Sequence, residues 1–254
     1  MKAHTQNTYI QDCKIVCHKN HECKSDTIII GIDEVGRGSL FGQMTVGAVI
    51  LDNHLTGEFG QVDLTNTPIA MINDSKKLSE KKRNLAFNPI KEICQSHAII
   101  DIPAHVIDAI DIYQATLLGM RLAIENLMTI NHITPMHDLT ILIDGNAKPT
   151  LSNEFKAYEN SIHTLIKGDG IHTSIACASI LAKVHRDNAM NDYAKIYPDY
   201  HLSKNKGYPS KAHTQAIFLH GILPEHRQSF NPIRTILQHQ SSTPFIFDQP
   251  PNLN

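Results

Sequence analysis

Two carboxylates stand side by side at the end of a short apolar run, and a glycine-rich turn follows them. The run 28–32 is rich in isoleucine, Asp33 and Glu34 end it, and residues 36–38 read Gly-Arg-Gly. A short apolar run bounded by glycine is typical of a buried strand. Because charged side chains are costly in a core, this pair indicates the edge of a site. The common alternative is a pair of acids that only solvates a strand end.

Two further aspartates occupy comparable positions later in the chain. Asp144 ends the apolar run 139–144, and Asp169 lies in a Lys-Gly-Asp loop before a predicted helix. Clustered carboxylates repel one another, and a hard divalent cation such as Mg²⁺ relieves that repulsion. Two such ions about 4 Å apart can stabilise the attacking and leaving oxygens of a phosphodiester. The four carboxylates therefore predict metal-dependent phosphodiester hydrolysis.

Asp33 and Glu34 pose a geometric question, because adjacent residues of a regular strand point to opposite faces. The two side chains can serve one site only if the strand ends or twists between them. Gly36 and Gly38 make such a departure possible.

The elements that must position these carboxylates follow from hydrophobic periodicity. Apolar runs predict four strands, at 28–33, 44–51, 97–102 and 139–144. Apolar residues at helical spacing predict helices at about 80–95, 104–130, 174–193, 211–220 and 231–239. Ser79 can cap the first helix, Asp111 marks a break in the second, and small residues let the third pack close to the sheet. This order of elements predicts an α/β fold, a mixed sheet flanked by helices.

Composition limits the class of protein. The chain has 254 residues, 41% of them hydrophobic, and a formal net charge of −2. Such a chain can bury a sizeable core, and any nucleic-acid binding must rest on local basic patches. We expect a polar, flexible N-terminal extension at 1–26, a main domain at 27–197, and a small helical C-terminal lobe with a loose tail at 198–254.

Cysteine usage predicts a cytoplasmic protein, because an odd set of five cysteines in a chain of this size does not indicate a disulfide framework. The N-terminal segment also gathers donors suited to zinc: Cys13, Cys17, His18, His21 and Cys23. Their spacing matches no common zinc finger. A polar terminal segment without a metal is the alternative interpretation.

Basic residues form two clusters, at 76–83 and 183–211. Such clusters are often no more than solvated faces. Because these two flank the predicted site, they indicate contacts with the phosphates of a nucleic acid, for which Lys76, Lys183 and Lys206 are the candidates.

Five motifs, in this order along the chain, resemble ribonuclease HII. They are 31–38 (Gly-Ile-Asp-Glu-Val-Gly-Arg-Gly), 74–79 (Asp-Ser-Lys-Lys-Leu-Ser), 144–146 (Asp-Gly-Asn), 167–169 (Lys-Gly-Asp) with 174–187, and 206–208 (Lys-Gly-Tyr) with His213. The resemblance implies a ribonuclease H-like fold, a mixed five-stranded sheet flanked by helices with a small helical C-terminal lobe. It also implies a set of residues that are both catalytic and metal-binding, with Mg²⁺ or Mn²⁺ as cofactor: Asp33, Glu34, Asp144 and Asp169.

The reaction implied by the resemblance is two-metal-ion hydrolysis of the RNA strand of RNA–DNA hybrids. A second implied activity is cleavage 5′ of a single ribonucleotide embedded in duplex DNA, and both leave 3′-hydroxyl and 5′-phosphate ends. The partners implied are RNA–DNA hybrids and ribonucleotide-containing duplex DNA. We expect a monomer that does not associate with membranes.

The resemblance also implies a set of substrate contacts: Gly36, Arg37, Gly38, Lys76, Asn146, Lys183, Lys206 and Tyr208. Telling RNA from DNA requires a sensor for the 2′-hydroxyl, which the backbone of 36–38 can reach because two of its three residues lack side chains. Tyr208 resembles a tyrosine that packs on the sugar of the following deoxyribonucleotide. A half-buried tyrosine with a structural role is the alternative. For His213, a structural role and a phosphate contact are both open.

The chain departs from the family's pattern at Ser39, Gln43 and Pro209. The family usually has prolines at the first two positions, so these departures predict a less rigid recognition turn and a weaker preference for RNA–DNA junctions. One rival interpretation is a ribonuclease of the HIII type, which does not favour single embedded ribonucleotides. The other is a non-catalytic nucleic-acid-binding protein on the same scaffold. The Gly-Arg-Gly turn argues against the first, and the four carboxylates argue against the second.

Overall fold

A six-stranded mixed sheet lies at the centre of the computed structural model, which describes residues 7–22, 27–72 and 78–240. The strands are β1 (Lys14–Lys19), β2 (Thr27–Val35), β3 (Met44–Ile50), β4 (Ser96–Ile102), β5 (Asp138–Asp144) and β6 (Ile162–Leu165). Their order across the sheet is β1-β4-β3-β2-β5-β6. Neighbours from β1 to β2 pair antiparallel, whereas β2, β5 and β6 run parallel to one another.

The four predicted strands are confirmed as β2 to β5, and so is the α/β fold, but the sheet has six strands rather than five. The prediction of a flexible extension at 1–26 is wrong for Lys14–Lys19, which pairs with β4 as strand β1 and forms an edge of the sheet. Its apolar run, Ile15 to Cys17, has only three residues and lies between polar ones, so it is too short to identify a strand. β6 has only four residues, too few to show a periodic pattern.

The helices surround this sheet. They are α1 (Glu80–Ile93), α2 (Ala104–Ile110), α3 (Ile112–Ile130), α4 (Thr173–Ile196), α5 (Leu202–Asn205), α6 (Lys211–His220) and α7 (Ile233–Gln240). The predicted cap is confirmed, since the Ser79 side chain accepts from the Lys82 amide. So is the break at Asp111, which has a positive φ of 68° and caps α3. In the part of the chain that the structure describes, no helix is long and apolar enough to cross a membrane.

Each face of the sheet carries its own helices. One apolar cluster joins α2 and α3 to side chains such as Ile30, Ile32 and Val46. A second joins α1 and α4 to the opposite face, where Val49 and Ile99 point. The carboxyl end of β2 thus emerges between two packed layers.

Helix α4 lies directly against β2 and β3, because the contact positions carry no side chain. A Cβ atom at Gly31 would lie 2.3 Å from the backbone carbon of Ser174, and one at Gly47 would lie 2.3 Å from the carbonyl oxygen of Ala178. Both distances are shorter than van der Waals contact, so the two glycines set the distance between helix and sheet. The close packing predicted for this helix is confirmed.

The C-terminal lobe shares its core with the rest of the molecule. Leu202, Ile217 and Ile233 pack with Phe41 and with Met190 of α4 in a third apolar cluster. Residues on both sides of the predicted boundary at 197 therefore build one core, and the segment that follows the Gly-Arg-Gly turn is part of it.

Candidate active site

Strands β2 and β5 bring two of the predicted carboxylates to the same edge of the sheet. Ile32 pairs with Ile143 in the parallel register, so Asp33 and Asp144 follow in equivalent positions. Asp33 is 8% exposed, and its Oδ1 accepts from the Glu34 amide at 2.7 Å. The Ser179 side chain on α4 also hydrogen-bonds to Asp33. Asp33 is thus clamped between its own strand and the helix behind it.

Glu34 lies on the same strand, which continues through Val35 without ending between the two acids. Glu34 Oε1 pairs with Arg37 Nη1 at 3.1 Å, across the start of the glycine-rich turn. Glu34 Oε2 is buried and has no hydrogen-bond partner among the described residues. The charge of Asp144 raises the pKa values of both Asp33 and Glu34, so both neighbours lie near Asp144 despite the alternation of a strand.

Asp144 and Asp169 meet where β5 ends and α4 begins. Asp144 Oδ1 accepts from the Gly168 amide at 2.6 Å. Asp169 lies in the short turn Gly168–Gly170, which Lys167 enters with a left-handed φ of 60°. The charge of Asp169 acts on Asp144. The structure therefore places all four predicted carboxylates in one electrostatically coupled group.

Burial and mutual repulsion raise the pKa values of three of these acids. For Asp33 the pKa lies well above the usual range, first because of burial and then because of the charges of Glu34 and Asp144. Burial also raises the pKa of Glu34, against the opposing charge of Arg37. The pKa of Asp144 rises through burial and the charge of Asp169. Such a group favours a bound cation or a proton at neutral pH.

The donor chemistry of this group fits a divalent cation, since it consists of hard carboxylate oxygens and includes the buried, unpartnered Glu34 Oε2. Within 7–22, 27–72 and 78–240, however, no three His, Cys, Asp or Glu side chains form a ready-made metal-binding group. Three of the four carboxylates have partners within the protein: an amide and a hydroxyl for Asp33, a guanidinium for Glu34 and an amide for Asp144.

The glycine-rich turn meets Tyr208 beside the carboxylates. The Gly36 amide donates to the Tyr208 hydroxyl at 3.2 Å. A Cβ atom at Gly38 would lie 4.0 Å from the Tyr208 ring, which is ordinary contact. Arg37 and Gly38 are exposed, and Tyr208 is partly exposed. The structure thus brings together the turn and the tyrosine that the sequence analysis assigned to one function.

The two glycines of the turn have different structural roles. Gly36 has φ +88°, and a Cβ atom there would lie 2.2 Å from Arg186 Nε. Packing alone therefore requires a glycine at 36. At Gly38 there is room for a side chain and no positive φ. Of these two glycines, Gly38 is therefore the one that neither packing nor backbone conformation explains.

The remaining predicted contacts are only partly accessible. Lys183 pairs with Asp187 at 2.6 Å, and Lys206 donates to Asn191 at 2.7 Å. Asn146 is exposed, two residues after Asp144, and Lys76 lies outside the described residues. The prediction of a basic surface at 183–211 is wrong for Arg186, whose side chain is fully buried.

His213 is a structural residue and not a phosphate contact, because its side chain is fully buried. Its Nδ1 lies 3.0 Å from the Tyr208 carbonyl, and its Nε2 lies 3.3 Å from Nε2 of His226. The Leu223 amide donates to His226 Nδ1, so His226 carries its proton on Nε2 and gives it to His213. This histidine pair holds the backbone of Tyr208.

Sequence reasoning missed several residues that shape this site. Ser179, Arg227 and His226 have no local signal, because each acts through contacts with distant parts of the chain. Ser39 and Gln43 were expected to loosen the turn, yet Ser39 Oγ and the Gln43 carbonyl both accept from Arg186.

The chain is similar to known proteins over most of its length. The family model for ribonuclease HII matches residues 30–233. A ribonuclease HII from Psychrobacter arcticus is 43% identical over 232 residues, covering 85% of this chain and 81% of the relative. A ribonuclease HII from Shewanella pealeana is 44% identical over 207 residues, covering 82% and 89%.

Two solved structures share the fold. Ribonuclease H2 from Pyrococcus horikoshii superposes with a TM-score of 0.63 at 19% identity, covering 85% of this chain and all of that one. Bst-RNase HIII in complex with Mn²⁺ gives a TM-score of 0.55 at 20% identity, covering 86% and 72%.

Proposed function

The chain belongs to the ribonuclease HII family and is a metal-dependent endonuclease of the ribonuclease H type, and we propose that it hydrolyses the RNA strand of RNA–DNA hybrids and cuts 5′ of single ribonucleotides in duplex DNA. The observation that carries the proposal is the electrostatically interacting group of four acids, of which Asp33 is buried and the others are partly buried, beside a backbone turn and a tyrosine. We assign catalysis and metal binding to the carboxylates: Asp33, Glu34, Asp144 and Asp169.

The carboxylates support this assignment through their energetics. Three of them have raised pKa values, so their ionised forms are held at a cost that a divalent cation offsets. Bound Mg²⁺ or Mn²⁺ would supply Lewis-acid stabilisation of the charge that develops on the phosphate oxygens. The protein's own contribution is orientation, since amides and the Ser179 hydroxyl hold Asp33 and Asp144 in place. A solved relative of this fold, Bst-RNase HIII, binds Mn²⁺.

Recognition of the ribonucleotide is assigned to the turn and Tyr208. Backbone groups of 36–38 are the proposed sensor for the 2′-hydroxyl, since Gly38 is exposed and has no packing reason to be glycine. Tyr208 is the proposed platform for the next sugar, and its hydroxyl is already tied to the Gly36 amide. A direct bond between sensor and platform would fix the distance between the two nucleotides that they read.

Phosphate contacts by Lys183 and Lys206 belong to the proposal, and each has a competing partner within the protein. Lys183 must leave Asp187, and Lys206 must leave Asn191, to reach a phosphate. Asn146 is exposed and needs no such rearrangement. With a net charge of −2 over the whole chain, binding should depend on these local contacts and weaken as salt rises, with a slope set by the number of phosphates that they neutralise.

The test uses a labelled DNA duplex that contains one ribonucleotide, with Mg²⁺ or Mn²⁺, beside an all-DNA duplex and a long RNA–DNA hybrid. We expect a cut directly 5′ of the ribonucleotide, with no cutting of the all-DNA duplex. Asp33→Asn should abolish cutting. Asp138→Asn should not, because that exposed acid lies at the opposite end of β5 from the site.

Each outcome decides a separate part of the proposal. Cutting of long hybrids alone would keep the carboxylate assignment and overturn the reading of single ribonucleotides. No cutting of either substrate by folded protein would overturn the proposed function.

A further inference from the structure

We propose that Arg227, together with Arg186, is a positioning residue that holds the recognition turn 36–43 in register with Tyr208 and thereby sets selectivity for the RNA–DNA junction. The inference rests on the proposed function. Arg186 lies in α4, and Arg227 lies in the loop between α6 and α7. Both side chains are fully buried, so neither can contact substrate.

Arg227 connects the C-terminal lobe to the turn. Its Nη1 donates to the Arg37 carbonyl at 2.9 Å, and its Nε donates to the Gly42 carbonyl at 3.1 Å. Its backbone amide donates to the Leu40 carbonyl at 2.8 Å. Arg227 therefore holds the turn 36–43 near its start, at its middle and near its end. The first of these contacts is to Arg37, the central residue of the proposed sensor.

Arg186 holds the same segment from the side of α4. Its Nε donates to the Gln43 carbonyl at 2.8 Å, and its Nη2 donates to Ser39 Oγ at 2.7 Å. Its Nη1 donates to the Lys206 carbonyl at 2.9 Å, two residues before Tyr208. The guanidinium thus joins the turn to the backbone that carries the tyrosine, and its carbon lies 5.5 Å from the centre of the Tyr208 ring.

This arrangement is costly, which argues against a purely structural role. Burial lowers the pKa of Arg227 to about 9, and the charge of Arg186 adds to the effect. Arg227 Nη2 is buried without a partner among the described residues. Buried ions can often be replaced by apolar side chains of similar volume with no loss of stability. What apolar side chains cannot supply is several directed donors on chosen carbonyls.

The arrangement also explains how the chain does without the prolines expected at 39 and 43. A proline stiffens a turn by fixing φ, and here hydrogen bonds from Arg186 to both positions restrict the same segment. The predicted loss of rigidity is therefore offset by donors from outside the turn.

The experiment compares Arg227→Met and Arg227→Lys with the unchanged protein. Methionine keeps an apolar stem without donors, and lysine keeps the charge but presents a point donor in place of the planar fork that reaches two carbonyls. Arg234→Met is the matched control, since Arg234 is exposed on α7 of the same lobe. The measurements are kcat/KM on a single-ribonucleotide duplex and on a long hybrid, the position of the cuts, and Mn²⁺ affinity by calorimetry.

We expect both Arg227 variants to lower the ratio of the two kcat/KM values about tenfold or more, since misplacing a binding group by about 1 Å can cost about 10²-fold in rate. Mn²⁺ affinity should stay within about twofold of the unchanged protein, because Arg227 does not contact the carboxylates. Arg186→Lys should lower the same ratio and provides the test if the Arg227 variants do not fold.

An unchanged ratio in folded variants would overturn the inference, as would recovery of the ratio in Arg227→Lys, which would assign the effect to charge alone. A fall in Mn²⁺ affinity parallel to activity would assign Arg227 to the general stability of the site. If the unchanged protein cuts neither substrate, the proposed function itself fails. If the unchanged protein is selective and its Arg227 variants are equally selective, only the inference about Arg227 fails.

Discussion

Replacing Asp33 by asparagine should stabilise the metal-free protein while it abolishes cleavage. Asparagine has nearly the same volume as aspartate and keeps an oxygen that can accept from the Glu34 amide, which lies 2.7 Å from Asp33 Oδ1. The substitution therefore removes a buried charge and little else. Activity and stability should change in opposite directions, which is the expected signature of a group held for function.

The size of the effect follows from the opposing contributions to the free energy of unfolding. The loss of desolvation cost and of repulsion from Glu34 and Asp144 stabilises the variant. At an effective dielectric constant of about 20, two like charges about 6 Å apart repel by about 3 kcal/mol. The Ser179 hydrogen bond, about 1 kcal/mol, weakens when its acceptor is neutral. The repulsion and the hydrogen bond alone leave a net gain of about 2 kcal/mol, or about 4–8 °C in Tm for a domain of this size, and the lost desolvation cost adds to it.

The assay is thermal unfolding in a metal chelator over a range of pH. Because the pKa of Asp33 is raised in the folded state, its ionisation lowers stability as pH rises from the unfolded pKa through the folded one. The advantage of the variant should therefore grow as pH rises from the unfolded pKa of Asp33 to the raised folded one, and it should vanish well below about pH 4, where Asp33 is protonated in both states. Asp138→Asn, at the exposed start of β5, should show no such gain.

A variant that is no more stable than the unchanged protein at neutral pH would refute this reasoning. A gain that does not depend on pH would do the same, because it would show that packing and not ionisation is responsible.

Four further predictions concern the glycines and the metal. Gly38→Ala should leave Tm within about 1 °C, since the fold has room for the methyl group. It should lower kcat/KM on single-ribonucleotide duplexes about tenfold, because the methyl group would keep the substrate from approaching the backbone of the turn. Equal activity would remove Gly38 from the sensor. Gly36→Ala should lower Tm as well, because its Cβ would lie 2.2 Å from Arg186 Nε. Gly47→Ala, whose Cβ would lie 2.3 Å from the Ala178 carbonyl oxygen, should cost about 1–3 kcal/mol in chemical denaturation, and a neutral result would mean that α4 can shift freely. Mn²⁺ at a hundredfold excess over its Kd should stabilise the unchanged protein by about 2.7 kcal/mol, with a much smaller gain in Asp33→Asn.

The strands that carry Asp33 and Asp144 could be predicted because their signal is local. Continuous apolar runs buried on both faces identify β2 and β5, and each run ends at its acid. The cap at Ser79 and the break at Asp111 depend on a few neighbouring residues, and both were found. β1 escaped prediction because its apolar run, Ile15 to Cys17, has only three residues and lies in an otherwise polar segment.

The surroundings of the site could not be predicted in the same way. Arg186 was placed on a basic surface as part of the cluster at 183–211, yet its side chain is fully buried and donates to the Lys206 carbonyl of the C-terminal lobe. Ser39 was expected to make the turn less rigid, because the sequence around position 39 does not show that Arg186 donates a hydrogen bond to its hydroxyl. The burial of a polar side chain depends on what packs over it, and here the covering segments come from the other end of the chain.

The sequence by itself determined the α/β fold, the approximate bounds of its main strands and helices, and the positions of the four acids to which we assign catalysis, because periodicity and motif spacing act over a few residues. Only the tertiary structure decided which buried guanidinium orients which carbonyl. Arg227 and Arg37 are 190 residues apart in the chain, and Arg186 and Gln43 are 143 apart. No local sequence pattern encodes such a pair, because the residues around an arginine do not show whether its side chain is exposed or buried. Only the folded core brings the carbonyl groups within hydrogen-bonding distance of the guanidinium.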